Sequence, residues 1–285
     1  GPGNLLQDIM ESGLIPTVRL QKVFRQAGQS LIVTNAHKIV AGQPPDLTRR
    51  DGDFFLLEEG SSFRAARLVA QLCSERLPAA YGFSPMDDIQ VLCPSRKREL
   101  GTASLNKALQ EKLNPPRDGA REFPHNGFVF REGDKVMQVR NNYDIGWERD
   151  DGSDGSGVFN GDIGVLVRVD RAGGVLSVRF DDRTAQYTGD DLNDLEPAYA
   201  ITIHKSQGSE FDCVVLPLLD MPPPLCYRNL LYTAVTRAKK LLVIVGRRSV
   251  VLQMVENNRK NRRYTALRAL LKEESHEAEP DPAGT

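Results

Sequence analysis

The sequence contains neither G-x-x-x-x-G-K-[ST] nor G-x-G-x-x-G. The glycine loops that wrap a triphosphate or a dinucleotide in backbone N–H groups are therefore missing. Any triphosphate this chain meets must be held mainly by something outside it. The four cysteines, Cys73, Cys93, Cys213 and Cys226, show no C-x-x-C spacing and no paired histidines beside them. This argues against a zinc site and against a disulfide framework. Cys93 and Cys213 sit inside apolar runs, where a reduced thiol packs as a small hydrophobe, so a reducing compartment is expected. No apolar run approaches membrane-spanning length and no signal-peptide pattern opens the chain, so no membrane partner is expected. A global positive field is also lacking, since net charge is −1 and the pI is about 6.5. Nucleic acid would have to be recruited by a local patch.

The 285 residues are 40% hydrophobic and 26% charged, enough for one large domain or two ordinary ones with a real core. "NLLQDIMES" (4–12) reads as a short helix with Asn4 as N-cap, and "LIVTNAHKIVAG" as a helix closed by Gly42. "DFFLLEE" and "DDIQVLCPS" are strand candidates. Between them, residues 62–77 carry a helical stripe of Ala65, Leu68, Val69, Leu72 and Cys73, and 102–113 repeat that spacing. Strand–helix alternation of this kind predicts a parallel sheet with crossover helices.

From about 125 to 195 the helical period disappears. "GDKVMQVRNNY" reads as one strand, "VFNGDIGVLVRVD" carries the tight-turn pair Asn160-Gly161, and "RAGGVLSVRF" is a hairpin around Gly173-Gly174. "DDGSDGSG" reads by composition as a flexible surface loop. Together these segments predict a small β-barrel or meander. After residue 197 the first pattern resumes, with strands in "AYAITIH", "FDCVVLPLL" and "LLVIVG" and helices in "YRNLLYTAVTRAKK" and "SVVLQMVEN". "RRYTALRALL" adds a last helix candidate, and the acidic, proline-containing tail reads as disordered. The predicted architecture is an α/β domain interrupted by an all-β module of roughly seventy residues.

The turn "ITIHKSQGSEF" (201–211) concentrates hydrogen-bonding chemistry. Strand alternation puts Ile201 and Ile203 on one face and Thr202 and His204 on the other. Lys205, Ser206, Gln207 and Gly208 then leave the sheet at a strand carboxyl end, where open α/β sheets form their ligand crevice. A solvated turn that only caps the next element has the same composition. Arg237 falls at the border of the apolar stripe Leu230, Leu231, Ala234, Val235 and Ala238, as an arginine finger requires; a structural arginine paired with a carboxylate or carbonyl is the simpler reading of the residue alone. Arg25, after Val23 and Phe24, is a third candidate, with a surface salt bridge as the alternative. Tyr143 and Trp147 suit base stacking or the anchoring of a hairpin. His37 and His125 have no evident partners.

These segments resemble a known family. "AYAITIHKSQGSEFDCVVLPL" resembles motif V of superfamily 1 DNA helicases of the RecD/TraA type, and "LLYTAVTRAKKLLVIVG" their motif VI. "VFRQAGQSLIVTNAHKIVAG" is similar to motif IV, "GDKVMQVRNNY" with "VFNGDIGVL" to the inserted SH3-like barrel, and "GPGNLLQDIM" to the stretch after motif III. The resemblance implies an α/β fold, a RecA-like parallel sheet with flanking helices interrupted by an all-β SH3-like barrel. It divides the chain into a remnant of the first RecA-like domain (1–18), the second RecA-like domain in two parts (19–122 and 197–272), the barrel (123–196) and an acidic tail (273–285).

The resemblance further implies an ATP-dependent helicase or translocase moving 5′ to 3′ on single-stranded DNA in a bacterial cytoplasm. ATP and Mg2+ would be held mainly by the first RecA-like domain of the same polypeptide, so this chain alone is expected to be inactive and to bind neither tightly. Arg25 and Arg237 match arginines that reach the γ-phosphate. Gln26, Gly208 and Glu210 match nucleotide-contacting positions, and Glu210 in particular the residue that meets the sugar. Thr202, His204, Lys205, Ser206, Asn141 and Tyr143 are the expected DNA contacts. The competing expectations are a non-catalytic binding module and the helicase subunit of a multi-subunit recombination nuclease, whose nuclease subunits would then be partners.

Overall fold

The computed structural model describes residues 30–258. Arg25, Gln26, the 4–12 helix, the 262–271 helix and the acidic tail lie outside the described residues.

Helix α1 (Leu31–Val40) starts where the Ser30 hydroxyl accepts from Val33 N–H and stops before Gly42, whose φ of +73° suits the left-handed exit. Strand β1 (Phe54–Glu58) leads to α2 (Ser62–Gln71), which continues through a π-helical turn (Leu72–Arg76) into α3 (Leu77–Tyr81). The helical run thus passes Pro78 and outlasts the expected 62–77. Pro78 stands in the first turn of α3, where a proline is tolerated, and Gly82 at φ +74° ends the run. Strand β2 (Ile89–Cys93) and α4 (Thr102–Leu113) follow.

The β-rich stretch comprises β3 (Glu122–His125), β4 (Phe128–Arg131), β5 (Lys135–Gln138), β6 (Asn142–Arg149), β7 (Asp154–Val158), β8 (Ile163–Asp170), β9 (Val175–Phe180), β10 (Arg183–Thr188) and β11 (Leu195–Pro197). The chain then returns through β12 (Ala200–Thr202), β13 (Phe211–Leu218), α5 (Arg228–Val235), β14 (Ala238–Gly246) and α6 (Arg248–Glu256).

The α/β part is a five-stranded parallel sheet in the order β1-β14-β13-β2-β12. Its strands are apolar on both faces because both faces are covered. Leu92, Val214, Leu216, Leu242 and Ile244 point to the layer of α1, α5 and α6, where Ile39, Leu231 and Met254 are buried. The alternate residues Val91, Cys93, Cys213, Val215, Leu241 and Val243 face α2 and α4, meeting Val69, Leu105 and Leu109. All four cysteines are free and buried in these layers, and burial pushes the Cys73 thiol up to about 12. Among the described residues no helix is long and apolar enough to cross a membrane.

The second sheet is antiparallel, in the order β11-β5-β8-β9-β10-β6-β7, with its own core around Val136, Leu166, Val178 and Tyr187; β3 and β4 form a separate hairpin. Three local expectations change here. The segment read as one strand, "GDKVMQVRNNY", splits into β5 and the start of β6. Buried Gln138 donates to Arg140 O at 2.8 Å and Val139 N–H to Asp194 O at 2.8 Å, which bends the chain between them. Asn160-Gly161 is a turn with φ +96° at the glycine, but it joins β7 to β8, which do not pair; Gly161 N–H donates instead to Gln138 O. The segment "DDGSDGSG" supplies the edge strand β7 rather than only a loop. Gly155 is required there because a Cβ would lie 2.5 Å from the Trp147 ring. That ring anchors the sheet core, flanked by the Arg149 and Arg183 guanidinium groups at 4.7 and 5.3 Å from its centroid.

Candidate nucleotide and nucleic-acid interface

The 201–211 turn begins with two isoleucines locked into the sheet. Ile201 and Ile203 are buried, and Ile203 N–H still pairs with Cys93 O at 2.9 Å. Thr202, between them, is half-buried and faces the opposite way, as the alternation predicts, and His204 is exposed. His204 is no longer strand: His204–Ser206 form a single 3-10 turn, tightened by Lys205 N–H to Thr202 Oγ1 at 3.3 Å. Ser206 departs from expectation. It is fully buried and donates its hydroxyl to Ile203 O at 2.6 Å, so it shapes the turn and offers no hydroxyl to a ligand. Gln207 and Gly208 are exposed; Gly208 has φ +82° and open space where a side chain would stand. Glu210 is exposed, with the Lys239 ammonium 3.9 Å away.

Arg237 occupies a different setting from the helix border predicted for it. Helix α5 ends at Val235, where the Thr236 hydroxyl donates back to Tyr232 O and Thr233 O. Ala238 already belongs to β14, paired with Phe211, because the apolar run after it completes the sheet between β1 and β13. Arg237 therefore sits in the corner between helix and strand. Its guanidinium donates to Ser209 O at 2.9 Å, Thr233 O at 3.2 Å and Thr236 Oγ1 at 3.3 Å, and its own carbonyl accepts from Phe211 N–H. Every one of these acceptors is neutral. No carboxylate among the described residues forms an ion pair with it, so the fork is fixed in direction while its charge stays uncompensated. The corner brings Arg237 alongside Gly208, Ser209 and Glu210.

The other side of the turn opens into a cleft of about 260 Å3 between the α/β sheet and the β3–β4 hairpin. Thr202 and Lys205 line it, over an apolar floor that includes Phe128 and Met137. Sequence reading missed Arg96, Lys107 and Glu196 on its walls; the basic run "SRKRE" before α4 was the available signal. His125, which had no evident partner, lies against Asn193 Oδ1 at 3.1 Å on the same rim. Asn141 and Tyr143 do not line the cleft. Asn141 Oδ1 accepts from Asn160 N–H at 2.9 Å, and Tyr143 meets Phe159 edge to face at 5.6 Å, an exposed aromatic pair on the β-sheet unit. Among the described residues no group of three or more His, Cys, Asp or Glu side chains is gathered for a metal.

Two family models match. Residues 105–180 match the ATP-dependent RecD-like DNA helicase SH3 domain, and residues 197–245 match the UvrD-like helicase C-terminal domain, which spans both the turn and Arg237. The chain is 33% identical over 253 residues to the ATP-dependent RecD2 DNA helicase of Deinococcus radiodurans, covering 88% of this chain and 32% of that protein. It is 31% identical over 191 residues to the RecBCD enzyme subunit RecD of Mycolicibacterium smegmatis, covering 66% and 30%. The chain thus spans about a third of the length of these curated relatives. Among solved structures, a Pif1 helicase from Bacteroides in complex with ADP-AlF3 and single-stranded DNA aligns with a TM-score of 0.45 at 21% identity, covering 90% of this chain and 57% of that one.

Proposed function

Because this chain belongs to the RecD-like superfamily 1 helicases, we propose that it is the second RecA-like domain, with its SH3-like insert, of an ATP-dependent DNA helicase moving 5′ to 3′. In this reading residues 123–196 are the insert and the flanking segments are one domain. The single observation that carries it is the setting of Arg237: a guanidinium held by neutral acceptors, with no carboxylate ion-paired to it among the described residues, beside the exposed Gly208 and Glu210.

The residues present suit a nucleotide that another domain holds. Gly208 lets backbone approach closely on an open side, Glu210 offers an exposed carboxylate to a sugar, and three of the five Arg237 N–H donors are spent on positioning, leaving two for a phosphoryl group. ATP supplies the phosphoryl-transfer energy when bound, and the magnesium ligands are assigned to the preceding domain. Arg25 and Gln26 are assigned to the same nucleotide from motif IV. Across the turn, Thr202, His204 and Lys205 face the DNA strand, and Ile201 and Ile203 hold that face rigid. Closure of the two domains around nucleotide would then move one short segment that touches both ligands.

In the polypeptide that carries both domains, Arg237→Ala is expected to lower kcat for strand-stimulated ATP hydrolysis by on the order of 10³-fold with strand affinity retained. Arg237→Lys is expected to recover little, because an ammonium lacks the fork. A loss below tenfold would return Arg237 to a purely structural role. A second reading, assembly with recombination-nuclease subunits, draws on relatives named as RecBCD subunits. Co-purification of the tagged polypeptide with nuclease-bearing chains tests it.

A further inference from the structure

Lys205 is the cation that the 201–211 turn sends toward the cleft, yet its ammonium is ion-paired to Glu196. The other Glu196 oxygen accepts from Arg96 Nη2 at 2.6 Å. One carboxylate therefore bridges cations from two separate connections: Arg96 lies between β2 and α4, and Lys205 follows β12. Among the described residues lining the cleft, Arg96, Lys107 and Lys205 are the cations and Glu196 is the single carboxylate. Burial alone would raise the Glu196 carboxyl, but Lys205 and Arg96 outweigh it and hold the group below the ordinary glutamate range.

We propose that Arg96 and Lys205 together form a phosphate seat for the strand, and that Glu196 is its built-in competitor, the carboxylate a strand phosphate must displace. This rests on the strand reading of the turn given above. A guanidinium and an ammonium that share one carboxylate present the same donors a phosphodiester would take. Arg96 remains largely open to solvent, with its side chain 60% exposed, so an incoming phosphate can reach it while Glu196 swings outward. The competition leaves the seat weak and easily vacated, as a domain that must grip and release in every cycle requires. It also lowers the salt dependence of binding, because a charge already neutralised by protein releases fewer counterions from the strand.

The test is fluorescence anisotropy of a labelled oligo-dT with the full chain, titrated from about 50 to about 200 mM salt. Glu196→Gln is expected to tighten binding about tenfold at the low-salt end and to steepen the log–log salt slope by about 0.7, one phosphate's worth for a single strand. Arg96→Ala is expected to weaken binding and to remove most of that gain in the Glu196→Gln background. If Glu196→Gln leaves affinity unchanged or lower while Lys205→Ala still weakens it, Glu196 only orients Lys205; the competitor is overturned and the strand reading stands. If both variants are silent, the strand reading falls with it. Should Glu196→Gln fail to fold, Arg96→Ala decides: an unchanged salt slope overturns the seat.

Discussion

At the scale of single residues, the turn depends on a division of labour that its polar composition hides. Ser206 and Gly208 are both small, but one is wholly internal and the other wholly external. The Ser206 hydroxyl closes the 3-10 turn onto Ile203 O, while Gly208 supplies a left-handed φ of +82° with no neighbour within 4 Å of an added Cβ. Gly208→Ala therefore introduces backbone strain without a clash. Urea denaturation is expected to show a loss of about 1 kcal/mol; no loss would mean that the turn relaxes to a different path. Arg237 teaches the reverse lesson. The apolar stripe before it predicts a helix border, whereas it stands in the corner between α5 and β14; Thr233 O and Thr236 Oγ1 are local acceptors, but Ser209 O lies on a connection 28 residues away.

At the scale of elements, the informative contact is between β5 of the insert and β2 of the parallel sheet. Lys135 is buried and donates to Ile89 O at 3.1 Å, and burial pulls its ammonium down to about 8. Between about 8 and the ordinary lysine value the unfolded chain keeps a proton that the folded chain has released. Stability from this group therefore rises with pH through that window and is lowest below it. Compared with Lys135→Met, the wild type is expected to gain roughly 2 kcal/mol between pH 7 and 9.5 in urea melts. Parallel pH profiles for the two proteins would show that the folded lysine titrates as it does in solvent. Element boundaries follow the same logic of tertiary demand. The α5 period reads on into Ala238, yet pairing of Ala238 with Phe211 converts that stretch to strand.

At the scale of the whole molecule, the two sheets are pinned where the chain crosses between them. Asp134 accepts from Gln110 of α4, from Asn114 at its C-cap, from Arg131 N–H and from the Tyr199 hydroxyl, at 2.7 to 2.9 Å. Burial pushes its carboxyl above the ordinary aspartate range, against the pull of those donors. Beside it, Met137 of β5 packs into the core of the parallel sheet, and Gln90 of β2 donates to Ala198 O and Tyr199 O. The insert is thus fastened at both its entry and its exit. Asp134→Ala removes four hydrogen bonds, although the Gln110 and Asn114 amides keep Val129 O and Glu132 O, and is expected to destabilise the chain by about 3 kcal/mol. Circular dichroism and tryptophan fluorescence, which reports Trp147 of the insert, should then melt at separate temperatures where the wild type shows one transition. Coincident melting with a loss below about 1 kcal/mol would show that the pin is dispensable.

The sequence by itself determined the two-part architecture, because the hydrophobic period switches from helical to alternating near residue 125 and back near 197, and such periods register which faces must leave water. It also determined the strand faces of Ile201, Thr202 and Ile203, since alternation needs no knowledge of neighbours. Tertiary structure alone decided the pairings: that Glu196 bridges Arg96 and Lys205, that Arg237 donates to the neutral Ser209 O, that Gly155 yields its space to Trp147, and that Asn160-Gly161 turns between strands that do not pair. A polar side chain's partner depends on which distant segments the fold brings within about 3 Å of it, and no local period carries that information.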